Sequence, residues 1–123
     1  VAFELLEAAR WIDWVNPEGT VIVNRQRIMP MSVSVGNATY PDAEAVLAGL
    51  RERVARVIAV DALPLAEEAG STRTVNTVLL AALSAHLETD PDVWERAILR
   101  RVPDKTQDVN RAAFRLGREA AAD

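Results

Sequence analysis

The chain has 123 residues, enough for one ordinary domain, and half of them are hydrophobic, which favours a folded core over disorder. Its net charge of −4 argues against a general nucleic-acid binder, which usually carries a basic face. The chain has no cysteine, which excludes disulfides, thiolate nucleophiles and cysteine-held zinc or iron–sulfur sites. With one histidine, His86, the sequence predicts neither a metal site nor a catalytic set of its own.

No stretch of the sequence is apolar enough to cross a membrane. The longest apolar run, residues 78–83, is far shorter than the roughly 20 residues that a membrane helix needs. No secretory signal is apparent either. We therefore expect a protein that stays in the cytoplasm.

The first segment has the spacing of an amphipathic helix, with apolar side chains at Leu5, Ala8, Ala9, Ile12 and Val15. No N-cap residue precedes this pattern, so we predict that the helix begins at residue 2 or earlier. A domain that opens in mid-pattern is unusual. We therefore expect that an upstream portion is absent from this chain.

Two short apolar runs predict buried strands, one at TVIVN after the turn at residues 16–19 and one at residues 56–61. Neither run alternates with polar residues, which is typical of parallel sheets covered on both faces. Residues 32–35 alternate and indicate a further short strand near an edge. Two buried strands make a small sheet for a whole domain, which again indicates that upstream strands are missing.

The remaining segments predict helices, and together with the strands they predict an α/β fold with a parallel sheet. The predicted helices span residues 41–53, 62–69 (ended by Gly70), 74–87, 90–101 and 106–122. The third of these is apolar almost all round, so we expect it at the centre of the fold.

Polar residues follow the first strand. In open α/β sheets, ligands bind outside the carboxyl ends of the strands, which is where Asn24 lies. The amide of Asn24 could hold a ligand carbonyl or phosphate, and Arg25 or Arg27 could pair with an anion. The alternative is that Asn24 caps the loop backbone and that both arginines are solvated.

Asp61 ends the second strand in the same way. A carboxylate there could bind a ribose hydroxyl in a dinucleotide site, but the required G-x-G-x-x-G motif is absent from the sequence. The sequence therefore favours Asp61 as the N-cap of the following helix.

A second polar cluster, STRTVNT at residues 71–77, leads into the most apolar helix. Free N–H groups at a helix start favour anions, so Arg73 and Asn76 are candidates to contact a phosphate-bearing cofactor or a partner chain. Ordinary helix capping is the alternative. We expect Asn76 to lie near the start of a buried helix, where its amide needs a partner.

Three segments, taken in order, resemble the gamma domain of 2-oxoacid:acceptor oxidoreductases. They are WIDWVNPEGTVIVNRQRIMPMSVSVGNATYPD, ARVIAVDALPLAEEAGSTRTVNTVLLAALSAHL and VPDKTQDVNRAAFRLG. The turn at residues 40–42 and the ending at residues 102–104 favour the indolepyruvate ferredoxin oxidoreductase beta-subunit branch. The family's opening strand and G-x-G-G-Q-G turn are not in the sequence, so residues 1–123 match the later portion of the domain. The resemblance implies a Rossmann-like three-layer α/β domain with a mainly parallel sheet that lacks its N-terminal strands.

The resemblance also implies a function. Enzymes of this family oxidatively decarboxylate a 2-oxoacid, here an arylpyruvate, to an acyl-CoA. Their electrons pass through 4Fe-4S clusters to ferredoxin or another acceptor. Thiamine diphosphate and the clusters belong to a catalytic subunit or domain, so the chain itself holds no cofactor and is non-catalytic alone. We then expect the tip of the first strand to face that catalytic part, with Asn24 and Asn76 lining one crevice.

Two other functions stay open from the sequence. One is a stand-alone α/β nucleotide-binding module, and the other is a purely structural assembly module without ligand contacts. The 2-oxoacid, the electron acceptor and the stoichiometry also stay open.

Overall fold

The computed structural model describes residues 1–27, 35–36 and 39–122. They form two compact units, Val1–Ala59 and Val60–Asp123. In chain order the elements are α1 (Leu5–Trp11), β1 (Thr20–Asn24), α2 (Ala43–Arg51), β2 (Arg56–Val60), α3 (Ala62–Glu68), α4 (Val75–Ser84), α5 (Pro91–Leu99) and α6 (Gln107–Ala121). Single 3-10 turns occupy Ile12–Trp14, Thr72–Thr74 and Asp104–Thr106.

A small parallel sheet lies in the first unit, apart from Val60 at the end of β2. Strands β1 and β2 are neighbours. Ala2 pairs with Val23 in parallel on the other edge of β1, because its N–H donates to Ile22 O at 2.8 Å and its carbonyl accepts from the Asn24 N–H at 2.9 Å. The predicted α/β class with a parallel sheet is therefore confirmed.

Helix α1 begins later than the sequence predicts. Glu4 is its N-cap, and a carboxylate oxygen of Glu4 accepts the N–H of Glu7 at 3.0 Å. The prediction of an uncapped helix from residue 2 or earlier is wrong, because Ala2 is extended and paired with β1. Glutamate is not among the preferred N-cap residues, which is why the sequence concealed this start.

The core of the first unit lies where α1 and α2 cover the sheet, and its buried members are Leu5, Ala8, Val21, Val23, Ala43, Leu47, Leu50 and Val54. Asp42 begins α2, because its carboxylate accepts the N–H groups of Glu44 and Ala45. Strand β2 is less buried than predicted. Only Val60 is buried in it, because β2 pairs with β1 alone among the described residues.

The strand predicted at residues 32–35 lies outside the described residues except for Val35. That residue is exposed and forms a turn with Gly36, whose φ of 78° suits glycine.

The second unit is helical and packs around α4, which confirms the predicted central helix. Val78, Leu79, Ala81 and Ala82 of α4 are fully buried. Helix α6 crosses α4 at Gly117, where a side-chain Cβ would lie 2.3 Å from Val78 O. The other predicted helices are confirmed within a few residues, and Asp90 caps α5 by accepting the N–H of Asp92 at 2.8 Å.

Candidate functional site

Ala2 pairs with β1 near the carboxyl end of that strand. Asn24, the last residue of β1, links the strand to the chain that follows Ala2. Its Nδ2 donates to Phe3 O and to Gln26 Oε1, both at 3.2 Å, and its Oδ1 accepts the Gln26 N–H at 3.3 Å. The side chain is 1% exposed. Asn24 therefore fixes the backbone where β1 ends and holds it to Phe3, as in the loop-capping alternative.

Glu4 and Tyr40 form a buried polar contact beside Asn24 that the sequence did not indicate. The Tyr40 hydroxyl donates to Glu4 Oε1, while Glu4 Oε2 caps α1. The exposed fractions are only 7% for Glu4 and 9% for Tyr40. Burial, together with the hydrogen bond to Glu4 and the negative charge of Glu4, raises the pKa of Tyr40 from 10.0 to about 12. Tyr40 therefore stays protonated at neutral pH and acts as a donor.

The two arginines after β1 have different contacts. Arg25 pairs with Glu44 of α2, so it is not simply solvated. Arg27 is exposed, and its guanidinium carbon lies 5.8 Å from the centre of the Tyr40 ring, within the range of a cation–π contact. Arg27 therefore keeps its charge accessible at the carboxyl end of the sheet.

The second unit carries a separate cleft of about 360 Å³, and it brings Arg73 and Asn76 together with Thr74, Thr106 and Asn110. Arg73 and Asn76 are both exposed. The expectation that Asn76 is buried and needs a partner for its amide is therefore wrong. Asn76 is the second residue of α4 and lies at the surface of the unit, although α4 is buried further along.

Two hydrogen bonds link three residues that line this cleft, and the sequence did not indicate them. Buried Thr77 donates through Oγ1 to Asn110 Oδ1 at 2.6 Å, and Asn110 Nδ2 donates to Thr106 O at 2.8 Å. These polar groups satisfy one another across α4 and α6. The exposed candidates Arg73 and Asn76 thus line the same cleft as these hydrogen-bonded groups.

Asp61 takes the predicted N-cap position of α3, but its side chain makes no capping hydrogen bond to that helix. The capping position is confirmed, whereas a capping role for the carboxylate is wrong.

The described residues contain no group of three or more His, Cys, Asp or Glu side chains that could hold a metal ion. Among the same residues, no helix is both long and apolar enough to span a membrane.

Comparison with known proteins decides the family. The family model described as "Pyruvate ferredoxin/flavodoxin oxidoreductase" matches residues 1–120, which is nearly all of the chain. The chain belongs to this family. The resemblance seen in the sequence is therefore confirmed.

Curated relatives refine the likeness. The chain is 39% identical over 124 residues to "Indolepyruvate oxidoreductase subunit IorB" of Thermococcus kodakarensis and 38% identical to the protein of the same name from Pyrococcus horikoshii. Each match covers 98% of this chain and 61% of the relative. The Archaeoglobus fulgidus protein of that name is 34% identical over 119 residues, or 95% of this chain and 59% of the relative. The chain thus spans about three fifths of the length of these relatives.

The cofactors that the family implies can be compared with the residues present. An iron–sulfur cluster is normally held by cysteine thiolates, and this chain has none. Its residues therefore do not fit such a cluster.

Proposed function

We propose that this protein is a subunit or domain of an indolepyruvate-type 2-oxoacid:acceptor oxidoreductase that acts in the cytoplasm. The enzyme would oxidatively decarboxylate arylpyruvates to acyl-CoA and pass electrons to ferredoxin or another acceptor. The observation that carries the proposal is 39% identity across 98% of the chain to a protein named as an indolepyruvate oxidoreductase subunit.

The role of this chain within the enzyme is non-catalytic. Thiamine diphosphate and the 4Fe-4S clusters would reside in a partner subunit or domain, since the chain has no cysteine to hold a cluster. The exposed side chains of Trp11 and Trp14 support assembly with such a partner. They are 56% and 83% exposed, with ring centres 6.5 Å apart, and exposed aromatic groups are frequent in protein interfaces.

Four residues are the candidates for contact with the catalytic part or its cofactors, CoA included. They are Asn24, Arg27, Arg73 and Asn76. Arg27, Arg73 and Asn76 present exposed side chains, so they could reach another molecule directly. Asn24 would act indirectly, because its amide already holds Phe3 and Gln26. That Asn24 and Asn76 line one crevice stays a prediction.

The first experiment is purification of the natural full-length protein from its source cells, followed by mass spectrometry of co-purifying polypeptides. We expect a thiamine-diphosphate, iron–sulfur subunit, or one longer polypeptide that contains both parts. The purified material should reduce methyl viologen when an arylpyruvate and CoA are added. Recovery of the protein without such a partner, and without this activity, would refute the proposal.

A single substitution in the full complex distinguishes contact with the catalytic part from a role in assembly alone. Asn76→Ala should lower turnover or alter the dependence on CoA while the complex stays intact, because the exposed amide makes no hydrogen bond within the described part of the chain and can reach another molecule. The control is Asn16→Ala, which removes the same group from the exposed turn before β1, where its Oδ1 accepts only the Glu18 N–H at 3.0 Å. Unchanged kinetics in both variants would favour a purely structural role.

A further inference from the structure

Four exposed cations fall within ten residues of sequence around the end of α5. We name this group the basic stripe: Arg96, Arg100, Arg101 and Lys105. Arg96 belongs to α5, Arg100 is its C-cap, and Lys105 sits in the turn that leads into α6.

The stripe is positive within an acidic chain. Residues 96–105 contain its four cations and one carboxylate, Asp104, so their net charge is +3, whereas the whole chain carries −4. No member forms an ion pair within the part of the chain that the structure describes. Glu95, the acidic residue that precedes the stretch, pairs instead with Arg111. The charge of the stripe is therefore not neutralised by an ion pair with any described residue.

The stability of the fold explains only part of this arrangement. A cation at Arg100 suits the negative end of the α5 dipole. Arg96 and Arg100, however, are four residues apart at the end of one helix, where like charges repel. Lys105 precedes the amino end of α6, where a cation is unfavourable. An external partner with negative charge would offset both costs.

The character of the surface indicates the kind of partner. The residues between Arg101 and Asp104 are Val102, which is half-buried, and Pro103, which is exposed, so the stripe has no large apolar centre. Permanent subunit interfaces are larger and more hydrophobic, whereas electron-transfer encounters are small. Charge complementarity chiefly accelerates association in such encounters.

We propose that the basic stripe docks a small acidic electron-carrier protein, of the ferredoxin or flavodoxin kind that the family description names. This proposal rests on the proposed function, because the electrons must come from the iron–sulfur part of the complex. The stripe supplies no redox group. It attracts the carboxylates of the carrier and orients the carrier on the complex.

The test compares two exposed arginines at the carboxyl ends of different helices. Arg100→Glu reverses a charge in the stripe, and Arg51→Glu reverses an exposed charge at the end of α2. With the full complex and ferredoxin from the source organism at low salt, Arg100→Glu should raise the KM for ferredoxin about 10-fold. Arg51→Glu should leave it unchanged. The KM for the 2-oxoacid and the rate with methyl viologen should stay at the wild-type level in both variants.

Three results would overturn the proposal. The KM for ferredoxin could be unchanged in Arg100→Glu, or it could rise equally in Arg51→Glu. Arg100→Glu could also release the catalytic subunit, which would make the stripe a subunit interface instead. Salt offers a further check on the expected result, since 0.5 M salt should erase the difference in the KM for ferredoxin between wild type and Arg100→Glu.

A binding measurement tests docking at the basic stripe independently of the proposed function. If the wild-type complex does not reduce methyl viologen with any arylpyruvate, the proposed function fails. Surface plasmon resonance of ferredoxin on the immobilised protein still reports on the stripe. Salt-sensitive binding that weakens in Arg100→Glu and not in Arg51→Glu supports docking, and equal or absent binding for all three proteins refutes it.

Discussion

Tyr40 and Glu4 make the buried contact that ties the start of α1 to the chain that enters α2. Tyr40→Phe removes the donor and leaves the carboxylate of Glu4, only 7% exposed, with one hydrogen bond fewer. Hydrogen bonds to charged groups are worth more than neutral ones, so we expect the free energy of unfolding to fall by about 1–3 kcal/mol. Urea unfolding followed by tryptophan fluorescence measures this loss. An unchanged midpoint would show that the contact adds no net stability.

The pKa of Tyr40 makes stability depend on pH in the alkaline range. The folded protein binds this proton more tightly than the unfolded chain, because the pKa rises from 10.0 to about 12 on folding. The stabilisation is complete below pH 10 and is lost as the pH rises towards 12. We therefore expect the free energy of unfolding to fall across that interval.

Tyr40 is the only tyrosine of the chain, so the increase in absorbance at 295 nm on raising the pH reports its ionisation above the constant absorbance of the three tryptophans. At pH 11, urea unfolding should release the proton and increase this absorbance, whereas Tyr40→Phe should show no such change. Glu4→Gln should move the pKa of folded Tyr40 back towards 10, since it removes the negative charge that opposes ionisation. A folded-state pKa of 10 in the wild-type protein would contradict the assignment.

Single residues also show where sequence reasoning succeeds and fails. Asn24 was expected at a strand end and lies there, because the apolar run before it is short and sharply bounded. The exposure of Asn76 could not be inferred, since the apolar pattern of α4 says which residues are buried on average but not where the helix meets the surface. The Glu4–Tyr40 contact joins residues 36 positions apart, and no local pattern records it.

At the scale of helices, the close crossing of α4 and α6 rests on Gly117. A methyl group there would lie 2.3 Å from Val78 O and 2.8 Å from the Cβ of Ala81, so the two helices would have to separate. We expect Gly117→Ala to lower the free energy of unfolding by about 1–3 kcal/mol, as overpacking of a core does. Thermal unfolding by circular dichroism measures the effect.

Gly49 in α2 is the matched control, because nothing lies within 4 Å of a Cβ built there. Gly49→Ala should stabilise the protein by about 0.5–1 kcal/mol, since alanine loses less backbone entropy in a helix. Equal responses of the two glycine variants would mean that the α4–α6 crossing relaxes without cost.

Element boundaries could be predicted where a standard cap marks them. Asp42 and Asp90 begin α2 and α5 as the sequence indicates, and Gly70 follows α3 with a φ of 106°. The sequence does not reveal the start of α1, because its cap is a glutamate, Glu4. The sequence also does not show that Ala2 pairs with β1 and is therefore not helical. The partial exposure of β2 depends on which strands pair with it, a property of the sheet that its own sequence does not contain.

At the scale of the whole molecule, the composition bears on the division of labour that the proposed function implies. The family's name implies electron transfer to ferredoxin or flavodoxin, yet this chain has no cysteine to hold a cluster. Its exposed Trp11 and Trp14 favour contact with another polypeptide. Under the proposed function, the chain therefore shapes and assembles an enzyme whose redox groups lie elsewhere.

This division predicts that turnover and iron content respond independently to changes in this chain. If Asn76 contacts the catalytic part as proposed, Asn76→Ala in the full complex should lower turnover, because the exposed amide at the start of α4 is lost. Iron per complex, measured by colorimetric assay, should equal the wild-type value, since no cluster ligand is altered. The control Asn16→Ala should change neither quantity. A fall in iron content that parallels the fall in turnover would place this chain at the cluster and would refute the division of labour.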